Sequence, residues 1–265
     1  MARALIALLL VYAAACVLAH FMSDRLIFQP PSASYRDSTV TLKLRAADGA
    51  RISAIHLPNP SAAFTILYSH GNAEDLGLVM PVLARLREWG FSVLGYDYHG
   101  YGTSEGRPSE ARAYLDGEAA FAYLTADLAV APARIIAYGR SVGSGPAIEL
   151  AARHPVGGLV IESGFTSASR VVFRLPLLPF DRFTNIAKIG RVTCPILVMH
   201  GTEDEIVPIA HGKRLFEAAP AVKRSLWIDG AGHNDFMLVA GERQRQALIE
   251  LAALIGQATP SRGAR

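Results

Sequence analysis

Ser141 lies inside Gly139-Arg140-Ser141-Val142-Gly143, a G-x-S-x-G pattern. A serine hydroxyl can act as a nucleophile when it stands on a tight strand-to-helix turn. Small residues two positions either side let that turn close. Glycine and serine are common, so a plain Gly-rich turn would carry the same letters. The setting narrows the choice. Arg134 to Tyr138 reads as a strand before it, and Ser141 to Arg153 reads as a helix after it. A serine nucleophile also needs a base. The chain has eight histidines, most of which read as structural or surface residues. His233 differs, because Gly230-Ala231-Gly232 precede it and allow a loop to carry the imidazole to the serine. The base in turn needs an acid to hold its tautomer. Glu203, Asp204 and Glu205 stand side by side after another strand-like run, and residue type alone leaves all three open.

Acyl transfer further requires donors where negative charge develops. His70-Gly71-Asn72-Ala73 ends the strand pattern Thr65 to Ser69. The backbone N–H of Asn72 and that of Val142, directly after the candidate nucleophile, are the candidate pair. The plainer reading is that His70 and Asn72 shape a loop, and a backbone donor would serve even then. Asp97-Tyr98-His99-Gly100 reads as a structural turn, since His99 has no second ligand at metal-site spacing. Asp235 reads as a loop or cap residue. No phosphate loop, dinucleotide fingerprint or zinc signature is present, so the chemistry calls for no cofactor and no metal.

These residues need a scaffold. Thr39 to Arg45 and Arg51 to Leu57 are candidate strands joined by Asp48-Gly49, a hairpin signal. Strand-length apolar runs follow at Phe64–Ser69, Phe91–Tyr96, Arg134–Tyr138, Gly158–Ile161, Pro195–His200 and Ser225–Ile228. Helical spacing lies between them, at Leu78–Trp89, Ser109–Thr125 (with Ser109 as cap), Ser141–Arg153, Ile209–Ala218 and about Leu238–Ile255. Alternation of this kind predicts an α/β fold: a mostly parallel sheet with helices on both faces, made mixed by the leading hairpin. Phe165 to Ile189 breaks the rhythm. With Leu175, Pro176, Leu177, Leu178, Pro179, Phe180 and Phe183 it reads as a small apolar cap.

Residues 4–22 are almost wholly apolar, with His20 the strongly polar exception. At about 1.5 Å per residue the run reaches roughly 28 Å, close to a bilayer core of about 30 Å. Pro30-Pro31-Ser32 then reads as a linker. Two readings compete. A signal anchor keeps the helix and makes a single-pass protein of a bacterial inner membrane. A cleaved signal peptide, cut near residue 15 or 19, releases a secreted or periplasmic protein. The run continues past its alanines, which favours the anchor. Orientation stays open, with Arg3 on one side and Arg25 and Arg36 on the other. The expected division is therefore residues 1–24 as transmembrane or signal segment, 25–258 as the catalytic domain and 259–265 as a flexible tail.

Composition bounds the rest. With 51% hydrophobic and 18% charged residues the chain can bury a sizeable core. A net charge of +3 is too small to imply a nucleic-acid partner. Cys16 and Cys194 are isolated and read as buried thiols, neither a disulfide framework nor a zinc site. Ala13-Ala14-Ala15 before Cys16 loosely resembles a lipoprotein acceptor site, without the usual leucine three residues before the cysteine.

Taken together, residues from about Thr39 to Gln257 resemble the α/β-hydrolase superfamily. More closely, they resemble the depalmitoylating membrane hydrolases and their bacterial relatives, with a serine aminopeptidase or monoacylglycerol lipase-like domain. The stretches that carry the resemblance are 69–77 (SHGNAEDLG), 97–110 (DYHGYGTSEGRPSE), 138–146 (YGRSVGSGP), 200–205 (HGTEDE) and 230–235 (GAGHND). The resemblance implies the α/β-hydrolase fold, with catalytic Ser141, Asp204 and His233 and an oxyanion hole at Asn72 and Val142. Asp204 is preferred over its neighbours through the family's Gly-x-x-Asp pattern with Val-Pro soon after, here Val207-Pro208. The chain order Ser, Asp, His is also that of this fold. The implied function is that of a serine hydrolase acting on acyl esters or thioesters, a carboxylic ester or thioester hydrolase. Its substrate would be lipid-like or carry a long acyl chain. The alternatives are an amidase or aminopeptidase-like hydrolase, or a catalytically idle membrane-anchored binding protein.

Overall fold

The computed structural model describes residues 1–172 and 178–258. The expected tail, 259–265, and residues 173–177 of the expected cap, with Leu175, Pro176 and Leu177, lie outside the described residues. Strands β1 (Thr41–Arg45), β2 (Arg51–Leu57), β3 (Thr65–Ser69), β4 (Ser92–Tyr96), β5 (Ile135–Arg140), β6 (Gly158–Glu162), β7 (Ile196–Gly201) and β8 (Lys223–Ile228) form one sheet. The spatial order is β1-β2-β4-β3-β5-β6-β7-β8. β1 and β2 pair antiparallel, as do β2 and β4, and the remaining pairs are parallel. The β1–β2 hairpin turns through Ala47-Asp48-Gly49 rather than through two residues. Gly49 N–H donates to Ala46 O, and Ala46 N–H donates to Ala50 O. Gly49 takes φ +93°, the left-handed residue that such a three-residue turn needs.

The sheet is covered on both faces, and the inner strands show it by strict alternation. Leu67, Leu94, Ile196 and Val198 face a core shared with helices α3 (Glu110–Ala122) and α4 (Ser144–Arg153). Ile66, Val93, Leu197 and Met199 face a second core shared with α2 (Leu76–Glu88), α8 (Phe236–Ala240) and α9 (Glu242–Ala258). Each of these strands is therefore apolar on both sides, which is why they read as continuous runs. Two helices begin on side-chain caps, of which Ser109 is the expected one. The side chain of Asp75 accepts from Leu78 N, and that of Ser109 accepts from Arg112 N. The expected last helix is two helices, because Gly241 at φ +49° breaks the ladder between α8 and α9. The remaining helices are α1 (Ala2–Ile27), α5 (Ala168–Val172), α6 (Asn185–Lys188) and α7 (Ala210–Ala218).

The N-terminal apolar run is α1, and it stands out from the body. Only 6% of its most apolar window is buried, so it is not a core helix. It is long and apolar enough to cross a membrane, and a signal sequence would have the same character. Its last turns nevertheless touch the body. The Arg182 side chain donates to Ser23 Oγ at 2.9 Å and to the His20 carbonyl at 3.3 Å. Phe28, just beyond the helix, is buried edge-on against Tyr98 and Tyr101.

Candidate active site

All the candidate residues sit at the carboxyl ends of parallel strands. Asn72 follows β3, Ser141 follows β5, Asp204 follows β7 and His233 follows β8. Strand order reverses around β3 and β5, and the crevice outside such a switch point is where open α/β sheets bind ligands.

Ser141 opens a single 3₁₀ turn, Ser141–Gly143, between β5 and α4. Its φ is +52°, a left-handed conformation that strains a residue with a Cβ. The turn is so tight that neither flanking glycine can be replaced. A Cβ at Gly139 would lie 2.3 Å from Gly143 O, and one at Gly143 would lie 2.1 Å from Ser69 O. Ser144 Oγ donates to the Ser141 carbonyl at 2.6 Å and closes the turn from the other side.

His233 reaches this serine. Its Nε2 is 3.0 Å from Ser141 Oγ, and its Nδ1 is 2.8 Å from Asp204 Oδ2 and 3.0 Å from Oδ1. All three residues are buried. Of the three neighbouring acids only Asp204 turns inward; Glu203 and Glu205 are exposed. Asp204 Oδ1 also accepts from the backbone N–H of Val207 at 2.7 Å and of Ile206 at 3.1 Å, and His200 Nε2 lies 3.2 Å from Oδ2. Burial on its own would raise the Asp204 pKa. The hydrogen bonds from His200 and His233, the nearby imidazole charge and the Val207 amide outweigh it and hold the carboxyl well below the usual carboxylate range. An acid so held stays ionised, as a group that orients an imidazole must. Asp235 lies in the same loop and accepts from Gly232 N at 2.7 Å, which shapes the loop.

Asn72 and Val142 border the same cavity as Ser141. The Asn72 side chain is engaged elsewhere. Its Oδ1 accepts from Tyr101 Oη at 2.6 Å and from Gln29 N at 2.9 Å, and its Nδ2 donates to the Ile27 carbonyl. His99 is tied to Asp116 at 2.6 Å and to Asp48 at 3.2 Å, which gives its ring a structural task. Cys16 is buried. Cys194 is half-buried rather than fully so, and burial pushes its thiol up to about 12, which leaves it unreactive.

Arg140, the variable residue before the serine, was not singled out by residue type. It is buried and bridges two loops of the site. Its Nη2 donates to the His233 carbonyl at 2.9 Å and to Asn234 Oδ1 at 3.0 Å, while its Nη1 donates to Glu74. The other Glu74 oxygen accepts from Gly71 N at 2.7 Å. The histidine loop and the Gly71-Asn72 loop are thus held by one guanidinium. Burial opposes its charge, but Glu74 foremost, together with Glu162, keeps it firmly protonated. An arginine between a glycine and the candidate nucleophile, at the end of an apolar strand run, is the signal that would have marked it.

Over Ser141 lies a cavity of about 520 Å³. It is bordered by Phe165, Ala168, Val171, Leu178 and Phe180 from the expected cap, and by Ala15, Ala19 and Leu26 of α1. The walls are chiefly hydrocarbon, which suits an apolar ligand with its polar end at the serine.

Comparison with known proteins agrees with this architecture. Residues 60–185 match the family described as serine aminopeptidase, S33. The human alpha/beta hydrolase domain-containing protein 17B is 38% identical over 82% of this chain and 76% of its own length. The Caenorhabditis elegans protein aho-3 of the same description is 42% identical over 74% of this chain and 60% of its own length. Among solved structures, an esterase of Pyrococcus furiosus superposes with a TM-score of 0.72 at 18% identity, covering 85% of this chain and 98% of the esterase. A monoacylglycerol lipase of Paleococcus ferrophilus gives 0.60 at 19% identity, covering 77% and 98%. These two likenesses concern the fold. The identity and coverage of the curated relatives go further, and by them the chain belongs to the α/β-hydrolase family and is a hydrolase.

Proposed function

We propose that the protein is a serine hydrolase that cleaves acyl esters or thioesters through an acyl-enzyme on Ser141. The observation that carries this reading is the continuous contact from Ser141 Oγ to His233 at 3.0 Å and on to Asp204 at 2.8 Å, set at the base of an apolar cavity. In the first half-reaction Ser141 Oγ attacks the carbonyl carbon while its proton passes to His233 Nε2. The backbone N–H groups of Val142 and Asn72 stabilise the oxyanion. Collapse expels the alcohol or thiol, which leaves with the proton from His233. Water then repeats the sequence on the acyl-enzyme and frees the carboxylic acid. Asp204 holds the imidazole tautomer and offsets its transient charge. Residues 25–258 would form the catalytic unit and α1 its attachment to the membrane.

The aminopeptidase-like alternative would need an anion to receive a substrate amine. Asp181 borders the cavity, but its oxygens accept from Ser169 N at 2.8 Å, from Ser169 Oγ at 2.5 Å and from Arg182 N at 2.8 Å. That engagement favours a neutral, apolar acyl group. A panel of matched oxygen, sulfur and nitrogen leaving groups on one acyl chain tests the reading. Faster turnover of the ester and thioester than of the amide is expected. Amide turnover that exceeds both would replace the reading with the amidase.

A further inference from the structure

α1 is usually the part of such a chain that one would set aside as a tether, yet here it forms part of the cavity. Ala15, Ala19, Ser23, Leu26 and Ile27 all border it. Their spacing of four, four, three and one places them along one face of the helix. The face is narrow in bulk: the two positions farthest from the helix end carry only methyl groups. Phe165, Val171, Phe180 and Ser141 border the same cavity. The small side chains of Ala15 and Ala19 thus face the cavity that Ser141 also borders.

The wall is fastened. Arg182, next to the cap residue Asp181, bonds Ser23 Oγ and the His20 carbonyl, and the His20 ring meets Phe180 edge-on at 5.0 Å. At the helix end Asn72 bonds the Ile27 carbonyl. These contacts join α1 to the cap and to the loop beside the serine at the same time.

Length then decides where the cavity sits. The part of α1 before Ala15 reaches only about 20 Å at a rise of about 1.5 Å per residue. A bilayer core is about 30 Å thick. A spanning α1 must therefore also use the turns from Ala15 to Met22, the same turns that border the cavity. Those turns also carry exposed hydrocarbon that does not border the cavity, Leu18 at 61% and Phe21 at 77%, and the next turn carries Leu26, which borders the cavity and is 64% exposed. Ile206, which also borders the cavity, is 47% exposed as well. Exposed hydrocarbon on two separate elements that border the cavity matches lipid rather than water.

We infer that α1 is a wall of the acyl-binding cavity as well as an anchor, and that the cavity opens at bilayer depth and takes the long acyl chain of a membrane-borne ester or thioester directly from the lipid. The inference rests on the acyl-hydrolase reading above. Lateral entry would let the chain slide along the Ala15-Ala19 face until its carbonyl reaches Ser141, without passing through water.

The test uses the full chain in phosphatidylcholine vesicles and compares p-nitrophenyl butanoate with p-nitrophenyl hexadecanoate. Ala19→Phe and Ala15→Leu fill the wall from separate turns, so misfolding of one leaves the other, and circular dichroism melts report on both. Leu8→Phe, outside the cavity, is the control. Each wall variant is expected to lower the hexadecanoate-to-butanoate ratio of kcat/KM by roughly ten-fold or more, since a methylene or so of lost room costs about that much. The control should keep the parent's ratio. Folded, active wall variants with the parent's ratio overturn the inference and leave the hydrolase reading standing. A parent that hydrolyses neither ester overturns both. Depth has its own readout. A tryptophan introduced by Ile206→Trp should add fluorescence that acyl-brominated phosphatidylcholine quenches beyond the quenching in the parent. No added quenching would place the opening in water and overturn lateral entry.

Discussion

The side-chain amide of Asn72 donates a 2.6 Å hydrogen bond to the carbonyl of Ile27, the last residue of α1. Carbonyls in the final turn of a helix have no partner within it. The loop that carries the proposed oxyanion donor thus also terminates the apolar helix. Tyr101 and Gln29 complete the contact at Asn72 Oδ1. Asn72→Ala keeps the backbone N–H but removes these bonds. It should cost about 1–3 kcal/mol of stability and lower kcat roughly ten-fold by loosening the loop. Thermal melts and ester kinetics check it. A variant with the parent's melt and kcat would show that the bond positions nothing.

Asp204 is distinguished from its neighbours by burial and by four hydrogen-bonding contacts, to His233, Val207, Ile206 and His200. Asp204→Asn should lower kcat by roughly 10³ to 10⁴ through the wrong imidazole tautomer. Glu203→Gln and Glu205→Gln, both at exposed positions, should leave kcat within about two-fold, the scale of ordinary surface changes. If either glutamine variant lost more activity than Asp204→Asn, the acid would have been assigned to the wrong residue.

The same carboxylate sets a pH dependence of stability. Its pKa in the folded protein lies below the ordinary value of about 3.9, so the ionised form stabilises the fold at all pH above that value. The contribution is lost as pH falls towards the folded-state value. The gap in Tm between the parent and Asp204→Asn should therefore be widest above pH about 5 and shrink below about 4. Melts across that range read it directly, and a gap that widens towards acid would reverse the sign.

Arg140 carries a prediction of a different kind. Its guanidinium lies 3.4 Å from Glu162, which is buried and also bonded by Tyr138 and Gln244. Arg140→Met leaves that carboxylate without its cation and should cost about 3–5 kcal/mol. It also frees the His233 carbonyl, so kcat should fall more than KM rises. Arg140→Lys should restore part of the stability and less of kcat, since an ammonium cannot bridge both loops as the fork does. Equal kcat in all three proteins would confine Arg140 to a structural role.

Much of this site was legible because turns are demanding. The Gly139 and Gly143 pair predicts a turn that the contacts with Ser69 and Gly143 carbonyls require. The glycines before His233 likewise announce a loop that crosses to the serine. The alternation of strand and helix gave the layers, since strands apolar on both faces have no other home. Four features were not legible, each for a physical reason. Glu203, Asp204 and Glu205 differ in burial, a tertiary property, so residue type could not separate them. The reach of Arg140 to a loop 93 positions away depends on how β5 and β8 come to share an end of the sheet. The break at Gly241 sits in a polar stretch, 241–246, between apolar positions of helical spacing, and a helix tolerates one glycine on paper. Least legible was α1 as part of the cavity. Its sequence is that of any membrane segment, and only packing shows which alanines border the cavity.

The central claim is that Ser141 forms the acyl-enzyme, and the most direct measurement is the mass of the intact protein after treatment with a fluorophosphonate, followed by peptide mapping. One adduct is expected, on Ser141, with loss of ester turnover in proportion to labelling. Ser141→Ala should remain folded, take no label and lose several orders of magnitude in turnover. A label on another residue, or a Ser141→Ala protein that hydrolyses ester at the parent rate, would contradict the account.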